Sequence, residues 1–203
     1  MFEEEAAQAV AALKAGGVVA FPTESFYGLA VNPMIPAALQ RLVEIKGRDI
    51  EKGIPVVAAD YEVVNAHFVV PDSLKAPLEM IWPAPLTVAI EPRQEFPKEL
   101  CGAFDTIAVR VPANSIAREL ARKAGGLITA TSANFSGEPP CRAVTGLDAG
   151  LLEKLDYVLD AGTAPGGTPS TIVGLEAAGL RVYREGAYDL NRLAELCGLP
   201  CLT

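Results

Sequence analysis

The sequence predicts an α/β domain built on a large twisted mixed β-sheet flanked by helices, and two patterns predict it. Strand-length apolar runs alternate with stretches of helical periodicity, as expected when helices cover a sheet. Late in the chain, apolar runs at 170–175 and 180–184 are joined through a turn at Gly179, an antiparallel hairpin that makes the sheet mixed. No linker interrupts the 203 residues. Residues 1–203 are therefore expected to form a single domain with one substantial core.

Helical periodicity runs over residues 3–15 and stops at Gly16-Gly17, a normal terminator. Residues 18–21 read as a short buried strand. A helix follows over 36–46, with Leu39, Leu42 and Val43 on one face and Pro36 in its first turn. Residues 54–58 form another buried strand. Asp72 is placed to cap a helix running towards Ile81, which Trp82-Pro83-Ala84-Pro85 must break. Residues 86–91 and 106–111 read as strands, and Asn114 caps a helix ending at Gly125-Gly126. A strand over 127–131 leads into a polar loop to Pro140. Further strands are expected at 157–160 and in the hairpin, and residues 188–203 form a tail with one short helix ending near Cys197.

Composition excludes several classes. Half of the residues are hydrophobic and 21% are charged, a globular balance rather than a disordered one. Apolar runs are interrupted well before the roughly 18 residues that would span a bilayer. Glu3-Glu4-Glu5 is acidic where a secretion signal is basic. The expectation is a cytoplasmic chain with no membrane partner. Four cysteines form no C-x-x-C pair and no cluster with histidine, which argues for reduced thiols and against zinc. The net charge of −8 argues against a protein that coats nucleic acid, without excluding a local basic cleft. The one histidine, His67, lies in apolar Ala66-His67-Phe68-Val69-Val70 and reads as structural.

Five polar segments follow predicted strands or helices, where open α/β sheets place ligands. Pro22-Thr23-Glu24-Ser25-Phe26-Tyr27-Gly28-Leu29 offers two hydroxyls, a carboxylate and a phenol for a small polar ligand, or is a strand-to-helix loop satisfying its own backbone. Lys46-Gly47-Arg48 with Lys52-Gly53 is either a flexible anion clamp or a set of cations complementing a helix C-terminus. In Thr131-Ser132-Ala133-Asn134, the Ser132 and Asn134 side chains point the same way. They suit phosphate oxygens or a magnesium-bound water, and equally a capped turn. The glycine-rich run from Gly162 to Thr171 lacks the lysine and following helix of a P-loop and reads as a mobile lid with Ser170 at its base. Arg110 and Arg184, in or beside hydrophobic strands, each require an anion, from a substrate or from the protein itself.

The order and spacing of these segments go further than any one of them. Pro22-Thr23-Glu24, Lys46-x-Arg48, Trp82-Pro83-x-Pro85-Leu86-Thr87, Phe104-Asp105-Thr106 running to Arg110, Thr131-Ser132-Ala133-Asn134-x-Ser136-Gly137, Gly137-Glu138-Pro139-Pro140-Cys141-Arg142, Pro169-Ser170-Thr171 and Arg184-x-Gly186 together resemble the YrdC family, over about residues 5–187. The runs from Phe104 to Val111 and from Gly137 to Arg142 resemble its short single-domain bacterial branch. That resemblance implies a twisted mixed sheet with a positively charged cleft, and the synthesis of threonylcarbamoyl-adenylate from ATP, L-threonine and bicarbonate for a tRNA modification. It implies that Thr23, Ser25, Tyr27, Arg110 and Ser170 surround threonine and its carbamate. It implies likewise that Lys46, Arg48, Lys52, Thr106, Ser132, Asn134 and Arg184 surround ATP, with Lys46 and Arg48 at the catalytic centre.

Mg2+ is then held mainly by the triphosphate, the product passes to a threonylcarbamoyl-transferase, and contact with tRNA is possible. Asp49 and Ala84 depart from the Pro and Gly usual at those positions, and bear on local geometry. Two rivals carry different expectations. A non-catalytic relative that binds double-stranded RNA in ribosome maturation needs the basic cleft alone, and a carbamoyl-adenylating enzyme needs a different substrate. Dependence on threonine separates them.

Overall fold

The structure, a computed structural model, describes residues 2–47 and 50–202. Arg48 and Asp49 lie outside the described residues. In α1 (Phe2–Lys14), Ala6, Ala9, Val10 and Leu13 recur at helical spacing and are buried, while Glu3 and Glu4 occupy the first turn, where the helix dipole favours negative charge. β1 (Val19–Pro22) is buried throughout. It pairs antiparallel with β2 (Tyr27–Ala30) in the register Pro22↔Tyr27, so the segment read as a strand-to-helix loop is a hairpin. α2 (Pro36–Lys46) forms as expected, with Leu39 and Leu42 buried. A single 3-10 turn, Ile50–Lys52, precedes β3 (Val56–Ala58).

α3 (Tyr61–His67) was not expected from periodicity. It is started by the Asp60 carboxylate, which accepts from the Val63 N–H at 3.0 Å. α4 (Asp72–Ile81) corrects the expected cap: Asp72 is already helical and pairs with Lys75 one turn on at 2.6 Å. The helix stops before the Trp82–Pro83 peptide bond, which is cis. β4 (Leu86–Ile90), α5 (Lys98–Cys101) and β5 (Ile107–Arg110) follow. α6 (Ser115–Ala124) is capped by Asn114, whose Oδ1 accepts from the Ala117 N–H at 3.0 Å, as expected.

The run over 127–131 divides into β6 (Leu127–Thr129) and β7 (Thr131–Ser132). Ala130 is the break, because the chain changes partners there: β6 pairs with β3 and β7 pairs with β2. The remaining elements are α7 (Ala149–Leu152), β8 (Tyr157–Val158), β9 (Thr171–Glu176), β10 (Gly179–Arg184), α8 (Leu190–Cys197) and β11 (Cys201–Leu202). The last strand extends β10 in parallel, an addition to the expected helical tail.

The sheet is therefore two mixed sheets, ordered β7-β2-β1-β8 and β11-β10-β9-β4-β5-β3-β6. Helices cover both sides. α1 and α6 bury Ala9, Leu13, Leu120 and Ala121 against Val19, Phe21, Val57 and Ile128. Ala20, Val56 and Ala58 face the opposite way, into a larger core with Leu39, Leu42, Leu74, Leu78 and Leu86. Because β1 and β3 are buried on both faces, their sequences are continuously apolar rather than alternating. Among the described residues no helix is long and apolar enough to cross a membrane.

One close backbone crossing sets the rim near Lys52. The Ala103 N–H donates to Glu51 O at 2.9 Å and the Ile54 N–H to Leu100 O at 3.2 Å. Gly102 permits this at φ +66, where a Cβ would come within 2.3 Å of Glu51 O. Replacing Gly102 with Ala is expected to destabilise the fold by more than about 1–2 kcal/mol, read as a lower midpoint in urea unfolding with an unchanged slope.

Candidate active site

A cavity of about 580 Å3 opens between the two sheets, within the roughly 300–1,000 Å3 usual for small-molecule sites. Its floor is one face of the seven-stranded sheet. Thr87 and Ala89 on β4, Ala108 and Arg110 on β5, and Ser170 and Ile172 at the start of β9 all line it. Each pair is spaced by two, so strand alternation puts both side chains on the same face. One wall is the 23–28 hairpin of the smaller sheet, and another is the segment around Ser132 that follows the crossover at Ala130.

The polar chemistry concentrates where the floor meets the hairpin. Arg110 Nη1 stands 3.2 Å from Glu24 Oε1, with the two side chains 13% and 17% exposed, so solvent screens the pair little. Neither Glu24 oxygen nor Arg110 Nε has a hydrogen-bond partner. Arg184 donates from Nε and Nη2 to Ser170 O at 3.0 and 2.9 Å, and from Nη2 to Ser170 Oγ at 3.1 Å. Thr87 and Ser170 share a hydroxyl–hydroxyl bond of 2.9 Å. Burial pushes the Arg110 guanidinium below its ordinary range, an effect that Glu24 opposes. Burial lowers Arg184 too, and the neighbouring charge of Arg110 adds to it. Two guanidiniums that repel each other beside a pair of hydroxyls form a receptor for a planar anion, to which Arg binds in bidentate fashion.

Of the residues expected here, Thr23, Ser25, Tyr27, Lys52, Thr106, Arg110, Ser132, Asn134, Ser170 and Arg184 line the cavity. Several of them also tie polar atoms back to the protein. Thr23 Oγ1 donates to Phe26 O at 2.7 Å and accepts from the Ser25 and Phe26 N–H groups, tying the hairpin turn. The Tyr27 ring reaches the cavity lining, but its hydroxyl donates to Gly162 O at 2.8 Å, and burial pushes its pKa up. Asn134 Oδ1 accepts from Ser132 Oγ and from Lys46 Nζ, and its Nδ2 donates to Glu138 O. Arg48 lies outside the described residues.

Lys46 needs the largest correction. The sequence offered a flexible anion clamp or a cation complementing a helix C-terminus; the side chain is buried and absent from the cavity lining. Its Nζ donates to Ser132 O at 2.6 Å, to Asn134 O at 2.5 Å and to Asn134 Oδ1 at 2.8 Å. The physical reason is its place in the last turn of α2, on the face that carries Leu39 and Leu42 inward. The glycine-rich loop is likewise tethered: Gly166 N donates to Ser25 O at 2.7 Å and Ala164 N to Arg142 O at 2.7 Å.

Sequence reasoning did not place Thr87 in the site, and it offered Glu24 only as the carboxylate of the 22–29 segment, not as the partner of Arg110. The signal for Thr87 was a hydroxyl inside an otherwise apolar strand, and for Glu24 a carboxylate next to a buried strand end. His67 does not line the cavity; its ring packs edge-on to Phe96 at 6.3 Å between centroids. No group of three His, Cys, Asp or Glu side chains comes together as a metal site among the described residues.

Lys46→Met is expected to lose about 2–3 kcal/mol, because it removes a charged donor from oxygens of Ser132 and Asn134. Arg41→Ala breaks a half-exposed pair with Asp156 and is expected to cost under about 1 kcal/mol. Urea unfolding of the two variants side by side checks both; equal losses would make Lys46 a surface group.

Residues 11–186 match the model of the Sua5/YciO/YrdC family, described as telomere recombination. The threonylcarbamoyl-AMP synthase of Nitrosococcus oceani is 37% identical over 161 residues, which are 79% of this chain and 87% of that protein. That of Klebsiella pneumoniae is 35% identical over 186 residues, 90% of this chain and 96% of that one. The crystal structure of P. abyssi Sua5 complexed with L-threonine superposes with a TM-score of 0.88 at 28% identity. It covers 100% of this chain, which spans 60% of the length of that one. With the family matched over most of its length and the fold shared throughout, this chain belongs to the Sua5/YciO/YrdC family.

Proposed function

We propose that this chain is a threonylcarbamoyl-AMP synthase that joins ATP, L-threonine and bicarbonate and releases pyrophosphate. The observation that carries the reading is the pair of mutually repelling guanidiniums in the cavity lining, Arg184 on Ser170 of the Thr87–Ser170 hydroxyl pair and Arg110 beside Glu24. The naming of its relatives and the threonine bound to P. abyssi Sua5 support it.

In this reading the amine of threonine adds to the carbon of bicarbonate with loss of water, giving an N-carboxylate. A carboxylate oxygen then forms a bond to the α-phosphorus of ATP, and the bond from that phosphorus to the bridging oxygen breaks as pyrophosphate leaves. The nucleophile is already an anion, so no histidine base is required at this step. The protein's task is to hold two anions in line and neutralise them. Arg110, Ser170 and Ser25 are assigned to threonine and its carbamate. Arg184, Lys52, Thr106 and Ser132 are assigned to the nucleotide, and Arg48 joins them from its place in the sequence.

Glu24 is paired with Arg110, and among the described residues no cluster of three His, Cys, Asp or Glu side chains forms. The residues therefore fit Mg2+ held by the triphosphate rather than by the chain. Bound there, Mg2+ supplies further charge neutralisation. The product is an activated carbamoyl donor, and its consumer is a transferase acting on tRNA.

Pyrophosphate release measured with and without L-threonine and bicarbonate tests the proposal. Release that needs both is the expected outcome; release indifferent to threonine overturns it. Arg110→Ala and Arg184→Ala are each expected to lower kcat/KM by about 100- to 1,000-fold. Arg110→Ala should act mainly through threonine and Arg184→Ala mainly through ATP.

A further inference from the structure

The hydroxyls of Thr87 and Ser170 stand 2.9 Å apart on the cavity floor, and a hydroxyl carries one proton and two acceptor positions. One of the two protons is spent in the bond between them, so the pair has a single O–H left to offer. Arg184 Nη2 donates to Ser170 Oγ at 3.1 Å and fills one of its acceptor positions. Thr87 is 3% exposed, and among the described residues its hydroxyl has no hydrogen-bond partner but Ser170. A buried O–H without an acceptor is costly. Donation from Thr87 to Ser170 avoids that cost. It fills the second acceptor position of Ser170 and turns the Ser170 proton away from both neighbours.

The surrounding backbone holds this arrangement. Thr87 pairs with Ile172 in the parallel register of β4 on β9, and Ser170, two residues earlier, shares the face of Ile172. On one side of Ser170 the Thr171 N–H donates to Pro85 O at 3.0 Å, and on the other the Ala187 N–H donates to Pro169 O at 2.8 Å. Gly186 lies so close that a Cβ there would clash with Pro169 O. Ser170 is thus clamped between two segments before any ligand arrives. An anion drawn to Arg184 Nη2 meets the atom that Nη2 already touches, Ser170 Oγ.

We propose that Thr87 is a positioning residue: by donating to Ser170 it makes the Ser170 hydroxyl a donor only, aimed at a carboxylate oxygen of threonine or of its carbamate. The inference rests on the proposed synthase reading and deepens it. A donor-only hydroxyl beside a guanidinium accepts the anionic end of the ligand and refuses an ammonium or a neutral amine.

Calorimetric titration of L-threonine into the full chain, with and without bicarbonate, tests it. Thr87→Val keeps the branched shape, removes the donor and is expected to weaken binding about three- to tenfold. Thr87→Ser should recover most of that loss. Ser170→Ala is expected to weaken binding about 10- to 100-fold. The double variant should be no weaker than Ser170→Ala, because Thr87 acts only through Ser170. A Thr87→Val loss confined to bicarbonate buffer assigns the Ser170 proton to the carbamate, and a loss in both buffers assigns it to threonine's own carboxylate. An unchanged Thr87→Val affinity overturns the proposal, as does a Thr87→Ser variant as weak as Thr87→Val. Losses that multiply in the double variant, or a Thr87→Val loss larger than that of Ser170→Ala, overturn it too. A chain that shows the expected pattern but releases no pyrophosphate from ATP sinks the synthase reading alone. An unmodified chain that binds no threonine overturns both.

Discussion

A lysine ammonium taken out of water must find oxygen acceptors for its N–H bonds, and Lys46 finds them on Ser132 and Asn134. Those residues follow the point where the chain leaves one sheet for the other, and a crossover of that kind strands carbonyl oxygens that no ladder can satisfy. The lysine thus answers two needs at once. The return bond from the Ser136 N–H to Lys46 O, 3.1 Å long, locks the end of α2 to the same loop. The hairpin, the crossover and the end of α2 form one unit, and the cavity is the space between that unit and the larger sheet.

Cations in this protein consequently have separate tasks. Lys46 neutralises backbone oxygens inside the protein, whereas Arg110 and Arg184 stand at the end of their strands and face the cavity. A chain with a net charge of −8 still presents a cationic floor, because local charge rather than the total sets the potential inside a cleft with low-dielectric walls. Glu24 tempers that floor. It offsets part of the repulsion between the two guanidiniums without closing the site to an anion.

The helices and buried strands were legible because each has a strong local signal: Pro36 opening α2, Asn114 capping α6, and continuous apolar runs in β1 and β3. The hairpin partner β2 was hidden, because Tyr27-Gly28-Leu29-Ala30 carries no alternation once both faces are buried. The split at Ala130 was hidden for a different reason, since a change of pairing partner is a tertiary event. The same limit applied to the site. Residue type and order brought Ser25, Arg110, Ser170 and Arg184 to notice. No local pattern distinguishes a lysine that faces outward from one that turns under a neighbouring loop, and so the burial of Lys46 was not legible.

The pieces of the cavity come from Thr23 near one end of the chain to Arg184 near the other, with β4, β5 and the Ala130 crossover between them. No contiguous stretch holds enough of the lining to recognise anything. Both sheets must be closed, including the parallel contacts of β1 with β8 and of β4 with β9, before the floor and walls exist together. Such pairings between distant residues form late, because their loop-closure entropy is lost before the contact is gained. Recognition is therefore confined to the finished fold, and any molecule that fills the cavity stabilises the native chain by an amount that grows with its concentration relative to its Kd.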